Sequence, residues 1–229
     1  MASYGQFCPV SKATEVLSPR WALLVVREML CGSRTFGDIH RGVPGCPPAT
    51  LSKRLKELEL AGVLVRSGPR GASVYTLTAA GLELYPIVES LGHWGQRWAR
   101  SRYGPDELDA DMLLWDVRRF LDPSGLGVQP VVIELVVEGP RARPRYWIVV
   151  DDECVDLCLI DPRRPVDAVI TADLRALTEV WMGDTDFRSA LDGGTIALAG
   201  PEGLCRRIPD WFGQHPVLAA TAEARASAT

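Results

Sequence analysis

Apolar side chains return every three or four positions through much of the first hundred residues, and in alternating or short continuous runs through much of the second hundred. The first period predicts helices and the second predicts strands. Leu51, Leu55 and Leu58 fall at i, i+4 and i+7, a single buried stripe on a helix that Pro48 can open and Gly62 closes. Upstream, Ser18-Pro19 reads as an N-cap with proline at the first helical position. Trp21, Leu24, Val25 and Met29 give that helix its buried face, and Gly32 stops it after Leu30. Thr35-Phe-Gly-Asp38 is a cap signal for a short helix carrying Phe36 and Ile39. Gly42-Val-Pro-Gly-Cys-Pro-Pro48 is turn chemistry between the two. Val63–Ser67 and Ser73–Leu77 are short β-rich runs joined by Gly68-Pro-Arg-Gly71, a hairpin. Thr78 then caps a stretch in which Leu84, Ile87, Val88, Leu91, Trp94 and Trp98 recur at helical steps.

The pattern changes after Ser101-Arg-Tyr-Gly-Pro-Asp106, which reads as a linker. Met112–Leu121 predicts a helix ended by Asp122-Pro-Ser-Gly125. Strand-like runs follow at Val131–Val137, Arg145–Val150, Val155–Ile160 and Val166–Thr171. Asp173 caps a helix with Leu174, Leu177 and Trp181 inward, and Asp186–Leu191 is another short helix. Gly193–Gly200 reads as a last strand and Pro201–Phe212 as one closing helix. Strands first and helices after predict an α+β sandwich with an antiparallel-type sheet. The division expected is a helical domain with a β-hairpin over 1–104, the α+β domain over 105–215, and a disordered Ala- and Ser-rich tail over 216–229.

Charge sharpens this division. The chain carries 25 Lys and Arg against 29 Asp and Glu, but residues 1–104 hold 13 against 7 and the remainder 12 against 22. A basic first half and an acidic second half imply different partners, with DNA approaching only the first. At about 100° per residue, Ala49, Lys53 and Lys56 project opposite the leucine stripe, with Thr50 on a flank and Ser52 nearby. Arg54 lies near the stripe's edge, within reach of a phosphate, and Arg66 and Arg70 sit on the hairpin. Helix, turn, basic helix and basic hairpin in that order describe a winged helix that reads double-stranded DNA. A helical pair and hairpin that only pack would explain the same periodicity, but not the placement of the cations.

Residues 8–98 resemble the HxlR-type winged-helix regulators of bacteria, relatives of the MarR group. The matching residues are Cys8-Pro-Val10, Arg20-Trp21, Leu23-Leu24, Arg27–Leu30, Arg34-Thr-Phe36, Ile39, Leu51–Leu58, Gly62–Arg66, Tyr75–Thr78, Gly81 and Trp94-Gly95. The resemblance implies a homodimer on a two-fold operator. Leu84, Ile87, Leu91, Trp94 and Trp98 would then form the dimer seam, although such a stripe can also pack on its own domain. It further implies that Cys8 serves as a redox or electrophile sensor in some relatives. From the residues alone, Cys8 is either a thiolate favoured at a helix start or an inert half-buried thiol.

The second half resembles sterol-carrier-protein-like domains through Asp161-Pro162, Ala172–Leu174, Val180–Gly183, Ala190-Leu191, Gly194–Ile196 and Leu198–Gly200. That likeness implies an apolar cavity for a hydrophobic small molecule. Trp115, Phe120, Trp147, Trp181, Met182, Phe187, Trp211 and Phe212 are the large side chains available to line it; ordinary core would use the same residues.

Other chemistry is sparse. His40, His93 and His215 suggest no shared catalytic site, and no P-loop, G-x-S-x-G or strand-to-helix G-x-G-x-x-G occurs, so no enzyme is expected. Cys154 and Cys158 would stand ~13 Å apart along one strand, poorly placed for a shared metal, and no cofactor is expected. No apolar run reaches the ~18 residues of a membrane span, and the start lacks a secretory pattern, so a cytoplasmic protein is expected. Two rival readings remain at this level. One is a thiol-based sensor through Cys8; the other is a lipid or metabolite carrier that uses the winged helix only for dimerisation or docking.

Overall fold

The helical and strand-like halves fold as separate compact units, Met1–Ala99 and Arg100–Thr229. The structure, a computed structural model, describes residues 3–69, 71–99, 103–151, 154–213 and 215. Arg70, part of the linker and the expected tail over 216–229 lie outside the described residues.

In the first unit α1 (Pro9–Leu17), α2 (Ala22–Leu30), α3 (Phe36–Gly42) and α4 (Pro48–Leu60) precede a hairpin of β1 (Leu64–Ser67) and β2 (Val74–Leu77). The hairpin is antiparallel, pairing Leu64 with Leu77 and Arg66 with Tyr75. A bridge from Thr35 to Val74 and a bond from the Tyr75 amide to the Arg34 carbonyl at 2.8 Å tie its base to the start of α3. Thr35 caps α3 by accepting from the Asp38 amide, and Pro48 occupies the first turn of α4. Val25, Val26, Met29, Ile39, Leu51, Leu55, Leu58 and Leu64 form the core.

The start of α2 differs from expectation. The Pro19 carbonyl takes the Ala22 amide at 2.9 Å in a turn that delays the helix to Ala22, with Trp21 before it at φ 80°. The inward face therefore consists of Ala22, Val25, Val26 and Met29, while Leu24 is exposed. Beside this face lies a buried carboxylate. Arg27 Nη2 bridges Glu28 Oε1 at 2.6 Å and the Gly42 carbonyl at 2.9 Å, fastening α2 to the end of α3. The close approach requires Gly42, because a Cβ there would collide with the Glu28 carboxylate.

After the hairpin the helical stretch capped by Thr78 divides into α5 (Ala79–Leu82), α6 (Tyr85–Trp94) and a π-helical turn, Gly95–Ala99. Pro86, at the start of α6, lacks the amide a continuous helix would need. The expected stripe splits accordingly. Leu84 and Val88 pack into the unit's own core, which removes Leu84 from a free seam. Ile87, Leu91, Trp94 and Trp98 remain exposed, the last two at 58% and 66%.

The second unit has α7 (Ala110–Arg118), then β3 (Val131–Glu138), β4 (Tyr146–Asp151), β5 (Cys154–Cys158) and β6 (Ala168–Asp173). It continues with α8 (Leu174–Trp181), α9 (Phe187–Asp192), β7 (Ile196–Ala199), α10 (Glu202–Cys205) and α11 (Ile208–Phe212). The five strands run β5-β4-β3-β6-β7. The sheet is mixed and not purely antiparallel, because β3 and β6 pair in parallel. Strand order on its own never specified which edge of β3 the chain would return to. Alternate residues Ile133, Leu135, Val137, Tyr146, Ile148, Ile170 and Ala172 share a core with Leu114, Val117, Leu177, Val180 and Phe212. The expected closing helix is two short ones, interrupted at Arg206-Arg207 ahead of Pro209.

Gly42→Ala should destabilise the first unit by about 3 kcal/mol, through overpacking against a buried carboxylate. The loss is measured as a fall in urea midpoint by helical circular dichroism. A change within about 0.5 kcal/mol, the range of ordinary surface substitutions, would contradict the tight α2–α3 contact.

Candidate nucleic-acid interface and effector cleft

The burial of Leu51, Leu55 and Leu58 decides which way α4 faces. Ala49, Ser52, Lys53 and Lys56 are exposed as a consequence, Thr50 is half-buried on the flank, and exposed Leu60 extends the same face towards the C-terminal end. A helix with two lysines on a solvated ridge, no carboxylate between them and small residues at its N-terminal end can approach a DNA groove closely. Leu60 was not foreseen as part of this surface, although its position, seven beyond Lys53, carried the information.

Arg54 is held by partners within its own unit. Its Nε donates to the Arg20 carbonyl at 2.8 Å, its Nη1 pairs with Glu57, and only 15% of its side chain is exposed. The side chain lies along the protein towards the turn before α2 and is not extended from the ridge. On the hairpin, exposed Arg66 donates through Nε to Ser73 Oγ at 2.8 Å, which leaves it on the surface of the wing.

The eight large side chains proposed for a cavity do not share one. Phe120, Trp181, Trp211 and Phe212 border an open cleft of about 560 Å³, with Asp122, Gly125, Arg206, Arg207, Asp210 and Gly213 completing it. Trp115 is buried beneath the guanidinium groups of Arg118, 4.0 Å from its ring centroid, and Arg119. Strand alternation puts Trp147 on the sheet face opposite Tyr146 and Ile148. Phe187 is core, packed 5.4 Å from Phe212, and borders a smaller depression; Met182 packs at the margin of the core. The cleft therefore has as many charged as aromatic side chains and is open, not a closed apolar tunnel.

Its polar members Arg207 and Asp210 were not singled out, because they fall within the single closing helix expected over Pro201–Phe212 and only the turn between its two halves brings them to the cleft. His215 was also missed. Its ring lies 5.9 Å from Phe120 and 5.6 Å from Trp181, its amide binds the Trp181 carbonyl at 2.9 Å, and its Nε2 is 3.5 Å from Asp116. Asp116 also accepts from Trp181 Nε1 at 3.1 Å. Nothing in the local sequence around His215 signals these contacts.

Cys8 is the N-cap of α1, half-buried, with Pro9 at the first helical position. The Ser11 and then the Val10 backbone amides hold its thiol below the ordinary range, as expected where amides converge at a helix start. Cys46, fully buried in the first core, is pushed the other way by desolvation. Among the described residues no group of acidic, His and Cys side chains is arranged to hold a metal, and no helix is long and apolar enough to cross a membrane.

A buried-stripe helix following a capped short helix, with a hairpin behind it, defines a winged helix-turn-helix. The profile of the HxlR-like helix-turn-helix matches residues 16–103. The uncharacterized HTH-type transcriptional regulator YvaP of Bacillus subtilis (strain 168) is 39% identical over 98 residues, which covers 41% of this chain and 91% of YvaP. A second such regulator, sll1512 of Synechocystis sp., is 34% identical over 41% of this chain and 72% of its own length. Among solved structures, the reduced form of the transcriptional regulator YodB from B. subtilis aligns at 26% identity, over 42% of this chain and 97% of that one, with a TM-score of 0.35. The chain belongs to the HxlR-like helix-turn-helix family, and its winged helix is that of a transcriptional regulator.

The local field at α1 predicts that Cys8 alkylates with a pH midpoint below that of an ordinary free thiol. Iodoacetamide labelling from about pH 6 to 10, spanning the usual thiol range and read by peptide mass spectrometry, measures it. A midpoint at or above the ordinary value would contradict the role assigned to the Ser11 and Val10 amides.

Proposed function

We propose that this protein is a one-component transcriptional regulator: a homodimer that binds a palindromic operator through α4 and senses a hydrophobic small molecule through its second unit. The observation that carries the DNA reading is the exposure of Lys53 and Lys56 directly opposite the buried Leu51, Leu55 and Leu58. Thr50, Lys53 and Lys56 lie in or beside the major groove, with Ala49 and Ser52 allowing close approach. Arg66 contacts phosphate or enters the adjacent minor groove, and Arg70 at the hairpin tip belongs with it by sequence.

Dimerisation is supported by Ile87, Leu91, Trp94 and Trp98, large apolar side chains left in solvent along one short segment. Two-fold symmetry would then present two copies of α4 to one DNA face. The sensing role rests on the sterol-carrier-protein-like pattern of the second half and on the ring-walled cleft of Phe120, Trp181, Trp211 and Phe212. A ligand there changes operator affinity only if it binds the DNA-competent and incompetent states unequally. No cofactor or enzymatic step is invoked, and the protein acts in the cytoplasm. A second reading, thiol sensing through Cys8, is favoured by the Ser11 and Val10 amides that make its thiol more acidic at the start of α1; it would leave the second unit structural.

Selection of sheared genomic DNA by the purified protein should enrich a small set of palindromic sites. Lys53→Ala with Lys56→Ala should lose that enrichment, each lost base contact being worth about 1–3 kcal/mol. Equal enrichment by the double variant would remove α4 from the interface.

A further inference from the structure

The turn before α2 is built against the preference of its own residues. Pro19 and Ala22 close it through a 2.9 Å bond from the Ala22 amide to the Pro19 carbonyl, and Trp21 takes its third position at φ 80°, ψ −17°. Those angles belong to the third residue of a type II turn, a place for glycine or asparagine and costly for a bulky side chain. Relative to the commoner type I turn, the type II geometry flips the central peptide. That flip reverses the direction of the Arg20 carbonyl, which is the atom that accepts from Arg54 Nε at 2.8 Å.

The Trp21 ring is held as well. The Arg20 guanidinium lies 5.2 Å from a ring centroid, and Gly45, in the loop that leads into α4, is so close that a Cβ would meet Cη2 at 3.2 Å. The unfavourable turn is thus clamped twice, through the ring by the approach to α4 and through the carbonyl by α4 itself. Relaxing Trp21 to negative φ would turn the Arg20 carbonyl away and break the bond.

We propose that Arg54 is a positioning residue for DNA reading and not a phosphate contact. The leucine stripe holds α4 by burial, which is non-directional and tolerates small rotations about the helix axis. A hydrogen bond to one fixed carbonyl does not tolerate them. Arg54 is the immediate neighbour of Lys53, so pinning it sets the direction in which Lys53 and Lys56 leave the ridge. Pairing with Glu57 compensates part of its charge within α4.

This inference rests on the DNA-binding reading, and the test separates the two. Glutamine carries its amide nitrogen on Cδ as arginine carries Nε. Arg54→Gln therefore keeps a donor for the Arg20 carbonyl while removing the cation, and Arg54→Ala removes both. Affinities are measured for a duplex selected from a random-sequence library and for its scrambled counterpart, across a salt series, with Lys53→Ala alongside. Arg54→Ala should weaken the selected duplex about tenfold, the size of one lost specific contact. It should leave the scrambled duplex and the salt slope nearly unchanged, and Arg54→Gln should restore most of the loss. A general loss of folded protein would weaken both duplexes alike and would overturn the proposal. So would equal losses in Arg54→Gln and Arg54→Ala, with a salt slope smaller by roughly one unit per contact, the signature of a phosphate ligand. If no duplex is selected, the DNA reading falls. The Arg54 Nε–H proton in the NMR spectrum then decides the local claim: slow exchange supports the clamp, and exchange as fast as that of an exposed arginine overturns it.

Discussion

Leu51, Leu55 and Leu58 share one core with Val25, Val26 and Met29 of α2 and Ile39 of α3, and each of the three leucines is at most 2% exposed. Burying a leucine side chain is worth about 1.5–3 kcal/mol, so the stripe alone outweighs any surface ion pair along α4. Everything assigned to the interface depends on it. The burial orients α4, and the orientation leaves Lys53 and Lys56 on the opposite ridge, where they keep their hydration and add almost nothing to the fold. The remaining freedom of the helix is rotational, which is where the directional contacts around it matter. Thr35 fixes the entry to α3, Arg27 and Glu28 fasten its exit at Gly42, and Arg54 reaches back to the turn before α2.

The second unit is organised by its central strand. β3 is paired on both sides, and Asp167 strengthens the parallel side by exchanging bonds with Val132 through both amide and carboxylate, at 2.9 and 2.8 Å. With the sheet fixed, α8 and α11 bring Trp181, Trp211 and Phe212 together near Phe120. Rings that complete a core on one side border the cleft on the other, so the same atoms serve the packing and shape the cleft. The excess of carboxylates in this half disfavours approach to a polyanion, which leaves DNA to the first unit.

Local chemistry made much of the fold legible. Thr35, Thr78, Asp173 and Pro48 each announced a helix start that the structure contains, because a cap or an N-terminal proline acts within one turn. The leucine stripe announced the outward face of α4 for the same reason. Failures came where a distant partner decides. The motif Ser18-Pro19 resembled a helix start, yet the chain first makes a turn whose carbonyl is claimed by Arg54, thirty-four residues away. The partner of Arg54 was out of reach for the same reason, since helical spacing gives an angle and not a partner. The parallel pairing of β3 with β6 and the stacking of His215 on Phe120 and Trp181 likewise join residues far apart in sequence. The aromatic residues of the second half were found individually, but which of them border one cleft depends on tertiary packing.

A hydroxyl-radical footprint on an enriched duplex tests the central claim most directly. Two copies of α4 related by two-fold symmetry should protect two patches on one face of the DNA, with centres about 34 Å, or 10–10.5 base pairs, apart. Weaker protection should flank them where the wings reach the backbone. A single protected patch, or uniform protection without helical periodicity, would contradict a dimeric winged-helix reader.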